Sequence, residues 1–211
     1  MESKCRIIVY AKAPIPGEVK TRLSPALDAE AAALLHAALV ERALTIAQDS
    51  GLVHGELCCA PDTTHSFFQT CAEDFGVTLA AQGQGNLGER MLGTLTRALQ
   101  SHDAAIIIGA DCPALTGKHV AAAARALADH DVVLTPAEDG GYVLIGARRV
   151  DGAMFGGVEW GTHEVLEQQR RQLRDCGLSW HEMETLWDVD RPEDLPRLRA
   201  LKPALEFFWP T

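Results

Sequence analysis

A chain of 211 residues, 47% hydrophobic and 23% charged, has the composition of a globular protein and enough apolar residues for a substantial core. Its 19 Lys and Arg stand against 29 Asp and Glu, a formal charge of −10 with no polybasic run, which excludes a general binder of nucleic acid or of membrane surfaces. The apolar run behind MESKCR is about five residues, too short for a signal-peptide core or for a membrane span of about 20, so a cytoplasmic protein is expected.

In chain order, residues 6–11 predict a strand. Residues 28–50 predict a long helix with Asp28 as N-cap and Gly51 as C-cap. Its expected apolar face runs through Ala31, Leu34, Leu35, Ala38, Leu39, the Arg42 stem and Ile46. A strand over 54–60 leads to a helix over 62–75, capped by Asp62 and stopped near Gly76. A short strand at 76–80 precedes a helix from about Leu87 to Gln100. AAIIIG, residues 104–109, is apolar on both faces and suits a central strand of a parallel sheet. Thr116 is placed to cap a helix to about 130. Strands at 131–135 and 142–148 are joined by the short PAEDGG link, which favours an antiparallel pair. Thr162 is placed to cap a helix through Arg174, 179–184 reads as a last strand, and Pro192 opens a final helix to about Leu201.

The expectation is one domain over residues 1–211: a three-layer α/β/α sandwich with a mostly parallel sheet and an antiparallel element. The six cysteines, at 5, 58, 59, 71, 112 and 176, make no C-x-x-C pair and read as small buried hydrophobes in a reducing compartment. Cys58 and Cys59 should face opposite sides of their strand. Apolar helix positions would serve a homodimer contact as readily as a core.

Ligands of such sheets gather at the carboxyl ends of the strands, and four unusual segments fall there. AKAPIPGEVKTRL, residues 11–23, follows the first strand as a proline- and glycine-shaped loop. It carries Lys12, Lys20 and Arg22, with Gly17 allowing close backbone approach, and a basic loop in an acidic chain fits polyphosphate. GADCP, residues 109–113, offers Asp111 where the chain leaves the central strand, either as a ligand for a hard cation or as a turn residue. WDVDRPEDL, residues 187–195, adds Asp188 and Asp190, which alternate on an extended segment and so share a side. One Mg²⁺ (or Mn²⁺) held by Asp111 and Asp190, completed by phosphate oxygens and water, matches magnesium's preference. Glu193 and Asp194 suit the positive end of the last helix.

QGQGNLGER, residues 82–90, contains a G-x-G-x-x-G. A dinucleotide site would want an acidic residue about 20 positions on, at the end of the next strand. Asp103 precedes its strand and Asp111 lies too far along, so these glycines are read as letting backbone approach a nucleobase.

Together, AKAPIPGEVKTRL, GNLGERM, GADCP, PAEDGGYVLIG and WDVDRPEDL resemble the small transferase family related to 2-phospholactate guanylyltransferase. That family is described as glycosyltransferase-like or radical-SAM/selenodomain-associated and belongs with the GT-A type nucleotide-diphospho-sugar transferases. The resemblance spans about residues 6–198 and implies the GT-A fold. It also implies a metal-dependent transferase using a nucleotide and a small-molecule acceptor. By it, Lys20, Thr21, Arg22 and Leu23 resemble a triphosphate-binding motif, and Asp111 matches the first metal aspartate. Asp190 resembles the second one in a VDTPEDL motif, with Arg191 replacing threonine. Residues 82–90 fall where relatives hold base and ribose, with Gln82, Gly85, Asn86 and Arg90 the candidate contacts. Gly140, Gly141 and Tyr142 lie on the acceptor side. The sequence departs from the family pattern twice: the LAAGxGxRM loop is absent, and GADCP offers one carboxylate where glycosyltransferases carry DxD.

Nucleotidyl transfer from a nucleoside triphosphate to an already ionised phosphate or carboxylate is the favoured expectation, since the central strand carries no DxD, and such acceptors need no general base. Glycosyl transfer from a nucleotide-sugar, with Glu138 or Asp139 as base, and a nucleotide-binding module without turnover are the alternatives.

Overall fold

The computed structural model describes residues 4–52, 55–205 and 207. In chain order the elements are β1 (Cys5–Lys12), α1 (Ala29–Asp49), β2 (Glu56–Ala60), α2 (Ser66–Phe75), β3 (Thr78–Ala81) and α3 (Leu87–Ala98). They continue as β4 (Ala104–Gly109), α4 (Gly117–Ala126), β5 (Val132–Pro136), β6 (Tyr142–Ala147), α5 (Val165–Asp175), β7 (Trp180–Glu182) and α6 (Leu195–Arg199). Among the described residues the strands form one seven-stranded sheet in the order β3-β2-β1-β4-β6-β5-β7. Only β6 runs against its neighbours, pairing antiparallel with β4 and β5. The expected α/β/α sandwich, a mostly parallel sheet with an antiparallel element, is the observed fold.

Alternation along the central strands explains the three layers. Ile7 and Val9 of β1 and Ile106 and Ile108 of β4 pack with α1, α2 and α4 on one face. Ile8, Tyr10, Ala105 and Ile107 pack with α3 and α5 on the other. Cys59 joins the first face and Cys58 the second, as adjacent strand residues must. A third cluster seats the C-terminal segment, through Trp187, Val189, Leu195 and Leu198, against Leu35 and Leu39 of α1.

The local chemistry of the chain sets most boundaries. The Asp28 carboxylate accepts from Ala31 N, Asn86 and Thr116 cap α3 and α4, and Gly76 ends α2 at φ 63°. Four expectations change. The buried side of α1 includes Val40, Ala43, Leu44 and Ala47, while Leu34 is 64% exposed, because this helix meets both the sheet and the C-terminal segment. Asp62 spends its carboxylate on Thr64, so α2 begins at Ser66 behind His65. The Thr162 hydroxyl bonds Glu159 O and Glu164 N, and α5 starts at Val165 without a side-chain cap. The last helix is a 3₁₀ turn, Pro192–Asp194, followed by the short α6. The predicted strand start at residue 54 lies outside the described residues.

Candidate active site

The strand order reverses around β1, with β2 on one side and β4 on the other, which opens a crevice at their carboxyl ends. Tyr10 is in register with Gly109, so Lys12 and Asp111 leave the sheet side by side. The following loop turns back at Gly17 (φ 81°) and is anchored by fully buried Val19 and Leu23. Between these anchors Lys20 adopts φ 51°, a left-handed conformation rare for a side-chain-bearing residue. A 3₁₀ turn, Thr21–Leu23, follows where an irregular loop was expected.

This bend directs the Lys20 side chain inward, 4% exposed, with Nζ 2.7 Å from Asp111 Oδ1. The same ammonium donates to Val189 O, and Val189 N donates to Asp111 O at 2.9 Å. Three distant segments therefore meet at one carboxylate. The Asp111 side chain is half accessible to the cleft. The surrounding protein disfavours its charge, but the cations, Lys20 foremost, outweigh that and hold its pKa below the ordinary value.

Two further carboxylates crowd it. Burial, then the nearby Asp139 and Asp111, push the Asp188 pKa up to about 6. Asp190 is tied instead to Arg22, with Nη1 donating to Oδ2 at 2.7 Å. Its N–H and that of Arg191 donate to Asp194. Among the described residues no group of three or more His, Cys, Asp or Glu forms a ready-made metal cage.

The opposite wall belongs to α3, β6 and the segment before α5. Gln82 is buried, with its amide nitrogen donating to Ala11 O and Cys58 O and its oxygen accepting from Arg90 Nη1 at 2.9 Å. The amide is thereby spent on joining strand ends and aiming Arg90. Tyr142 donates to Gln169 and meets Trp160 edge to face, with ring centroids 6.4 Å apart.

The resulting cleft, about 540 Å³, brings together Lys12, Lys20, Arg22, Gln82, Arg90 and Asp111. Gly141, Tyr142, Asp188 and Asp190 also line it. A smaller hollow of about 370 Å³ adjoins it and shares Lys12 and Arg90. Gly17, Gly85, Asn86 and Gly140 line neither. Asn86 and Glu89 cap α3 reciprocally, so the Asn86 side-chain oxygen is spent on the Glu89 N–H. Gly85 (φ 94°) makes room for Glu89, and Gly140 (φ 91°) for the backbone of His163.

His36 is a polar lining residue that sequence reasoning missed. It is 5% exposed on α1, its Nε2 lies 3.1 Å from Lys12 O, and its Nδ1 faces Asp111 Oδ1 at 3.8 Å. Since Lys12 O can only accept, Nε2 carries the proton in the neutral ring, and burial holds the imidazole pKa below its ordinary value. The signal available was a histidine next to Leu35, within the apolar run of a long helix.

Comparison with solved structures finds the same fold in other proteins. The chain is similar to a candidate nucleotide-diphospho-sugar transferase from Desulfovibrio desulfuricans G20, at 28% identity and a TM-score of 0.83, covering 95% of this chain and 89% of that one. A CMP:2-keto-3-deoxy-manno-octonic acid synthetase complexed with CTP has a TM-score of 0.59 at 16% identity, covering 95% and 99%. A nucleotidyl transferase from Methanothermobacter thermautotroptrophicus has a TM-score of 0.63 at 12% identity, covering 95% and 97%. No curated protein matches the sequence. A family model matches residues 43–162, more than half of the chain, and the protein belongs to that family, "Uncharacterized protein conserved in bacteria (DUF2064)".

Proposed function

We propose that the protein is a nucleotide-using transferase that moves a nucleotidyl group from a nucleoside triphosphate to a small phosphate or carboxylate acceptor. The observation that carries this reading is the convergence of Lys12, Arg22 and Arg90 with Asp111 and Asp188 in one cleft at the switch point of the sheet. The similarity to the Desulfovibrio protein and to the CTP-bound synthetase supports it.

A divalent cation, Mg²⁺ or Mn²⁺, fits the donor set. Asp188 is raised first by burial and then by its acidic neighbours Asp139 and Asp111, and a bound cation would relieve that acidic crowding. Asp111 and Asp188 would hold it, with Asp190 a further donor; Lys20 engages one oxygen of Asp111 and Arg22 one oxygen of Asp190. When bound, the metal would neutralise charge on the α-phosphate. Lys20 orients Asp111, and Lys12, Arg22 and Arg90 receive the polyphosphate and stabilise the departing pyrophosphate. Phosphate or carboxylate acceptors are ionised at pH 7, so the step needs no base.

Glycosyl transfer is the second reading, favoured by the description of the Desulfovibrio relative. Its base would be Asp139, which lines the cleft, and not Glu138, which is clamped by Arg197. Incubation with each nucleoside triphosphate, Mg²⁺ and acceptor phosphates should release pyrophosphate. Asp111→Asn should lower that rate at least about 100-fold at temperatures where the variant is still folded by circular dichroism, and it should also destabilise the chain because Lys20 loses its charge partner. Nucleoside diphosphate released from a nucleotide-sugar would replace the first reading by the second, and nucleotide binding with neither product would leave a binding module.

A further inference from the structure

The cleft is chemically divided. Charged groups occupy the end formed by β1, β4 and the C-terminal segment, while the other end is apolar. There Tyr10, Leu87, Met91, Ile107, Tyr142 and Trp160 converge from β1, α3, β4, β6 and the segment before α5. Tyr10, Met91 and Ile107 are buried beneath this end, while Leu87, Tyr142 and Trp160 are part-buried and form its surface. Trp160 is firmly seated: it packs on Phe155 and Tyr142, and a methyl group at Gly88 would stand 2.8 Å from its ring. Its indole Nε1, fully screened from water, finds no hydrogen-bond partner among the described residues. Tyr142 and Trp160 present ring planes 82° apart, an arrangement in which a third ring can stack on one and meet the edge of the other.

Resting on the transferase reading, we propose that the acceptor is an anion with a flat apolar body, of the aryl phosphate or aryl carboxylate class. Its charged end faces Lys12, Arg22 and Arg90, and its body fills the recess between Tyr142, Trp160, Leu87 and Met91. The adjoining hollow beside Lys12, Ala60, Pro61 and Arg90 leaves room for the rest of the nucleotide on the far side of the cations. A polar acceptor such as a glycerol phosphate would leave the accessible parts of Leu87, Tyr142 and Trp160 facing water. An aryl group removes them from it, which is worth about tenfold in affinity for a ring of this size.

Calorimetric titration of the full chain with phenyl phosphate, 1-naphthyl phosphate and glycerol 3-phosphate tests this. The aryl esters should bind about tenfold or more tightly than glycerol 3-phosphate. Phenyl phosphate should also shift the Met91 methyl resonance in protein carrying ¹³C-methyl methionine. Trp160→Ala should erase the preference; should that variant fail to fold, Leu87→Gln provides the same comparison. Equal affinity for the three esters, or aryl binding that leaves Met91 unmoved, would overturn the inference. Thermal shift with nucleoside triphosphates and Mg²⁺, run in parallel, separates the two ideas. Nucleotide binding without aryl preference refutes the recess alone, whereas aryl preference at Met91 without nucleotide binding supports the recess and refutes the transferase.

Discussion

Asp188 shows how a single side chain reports the electrostatics of the cleft. Burial and two acidic neighbours raise its pKa from the ordinary aspartate value of 3.8 to about 6. Between those values the folded chain binds more protons than the unfolded one, so stability falls as pH rises from about 4 to about 6 and stays reduced above it. Replacing the carboxylate by a neutral isostere removes that penalty. Asp188→Asn should therefore raise the melting temperature at pH 8 by roughly 2–4 °C, equivalent to on the order of 1 kcal/mol, and by much less at pH 4. A scanning-calorimetry series across pH checks this, and an equal shift at both ends would contradict the assigned crowding. Lys20 carries the opposite lesson. It looks in the sequence like one more phosphate-binding cation, yet its strained backbone turns the ammonium onto Asp111 and Val189, leaving Lys12, Arg22 and Arg90 as the more open charges.

At the scale of elements, the β5–β6 turn depends on Gly140. Its φ of 91° and the 2.1 Å separation between a built methyl carbon and His163 O leave no room for a side chain. Leu166 N also donates to Gly140 O, tying the start of α5 to the turn. Gly140→Ala should lower the melting temperature by roughly 5–10 °C, on the order of 2–3 kcal/mol, as the turn and α5 are forced apart. Gly93→Ala, at an open position inside α3, should instead stabilise by about 0.5–1 kcal/mol, and the two variants together separate steric from general glycine effects. The strands, the antiparallel pair and the caps at Asp28 and Thr116 were legible in the sequence because each follows from local periodicity or a short polar side chain. The face of α1 was not, since a helix covered on two sides buries more than one stripe. His36 was invisible for the same reason, becoming a neighbour of Lys12 and Asp111 only when α1 packs on the sheet. The cap at Asn86 went unread because capping and base recognition draw on the same short polar side chain, and here its oxygen accepts from Glu89 N.

Over the whole molecule, one wall of the cleft is built by the segment that follows the last strand. Residues 187–195 supply Asp188 and Asp190, and they are held at both ends of the cleft by contacts spanning much of the chain. On one side Lys20 donates to Val189 O and Arg22 to Asp190. On the other, Arg197 makes two bonds to Glu138, 2.8 and 3.0 Å, and lies 4.5 Å over the Trp187 ring. Glu138 adjoins Asp139 in the β5–β6 turn, so Arg197 links the segment bearing Asp188 to the turn bearing its acidic neighbour. Both partners are about half exposed, and an exposed pair contributes about 0–1 kcal/mol, with a similar amount from the ring contact. Arg197→Ala should therefore shift the melting temperature by only a few degrees. It should also loosen residues 187–195 specifically, seen as faster amide exchange there than in β1 or β4, and lower turnover several-fold. Arg197→Lys keeps the charge but loses the two-point grip, and it should fall between the wild type and alanine in both measurements. Exchange that rises uniformly across the sheet would show that Arg197 supports the fold as a whole and not the placement of the acidic segment.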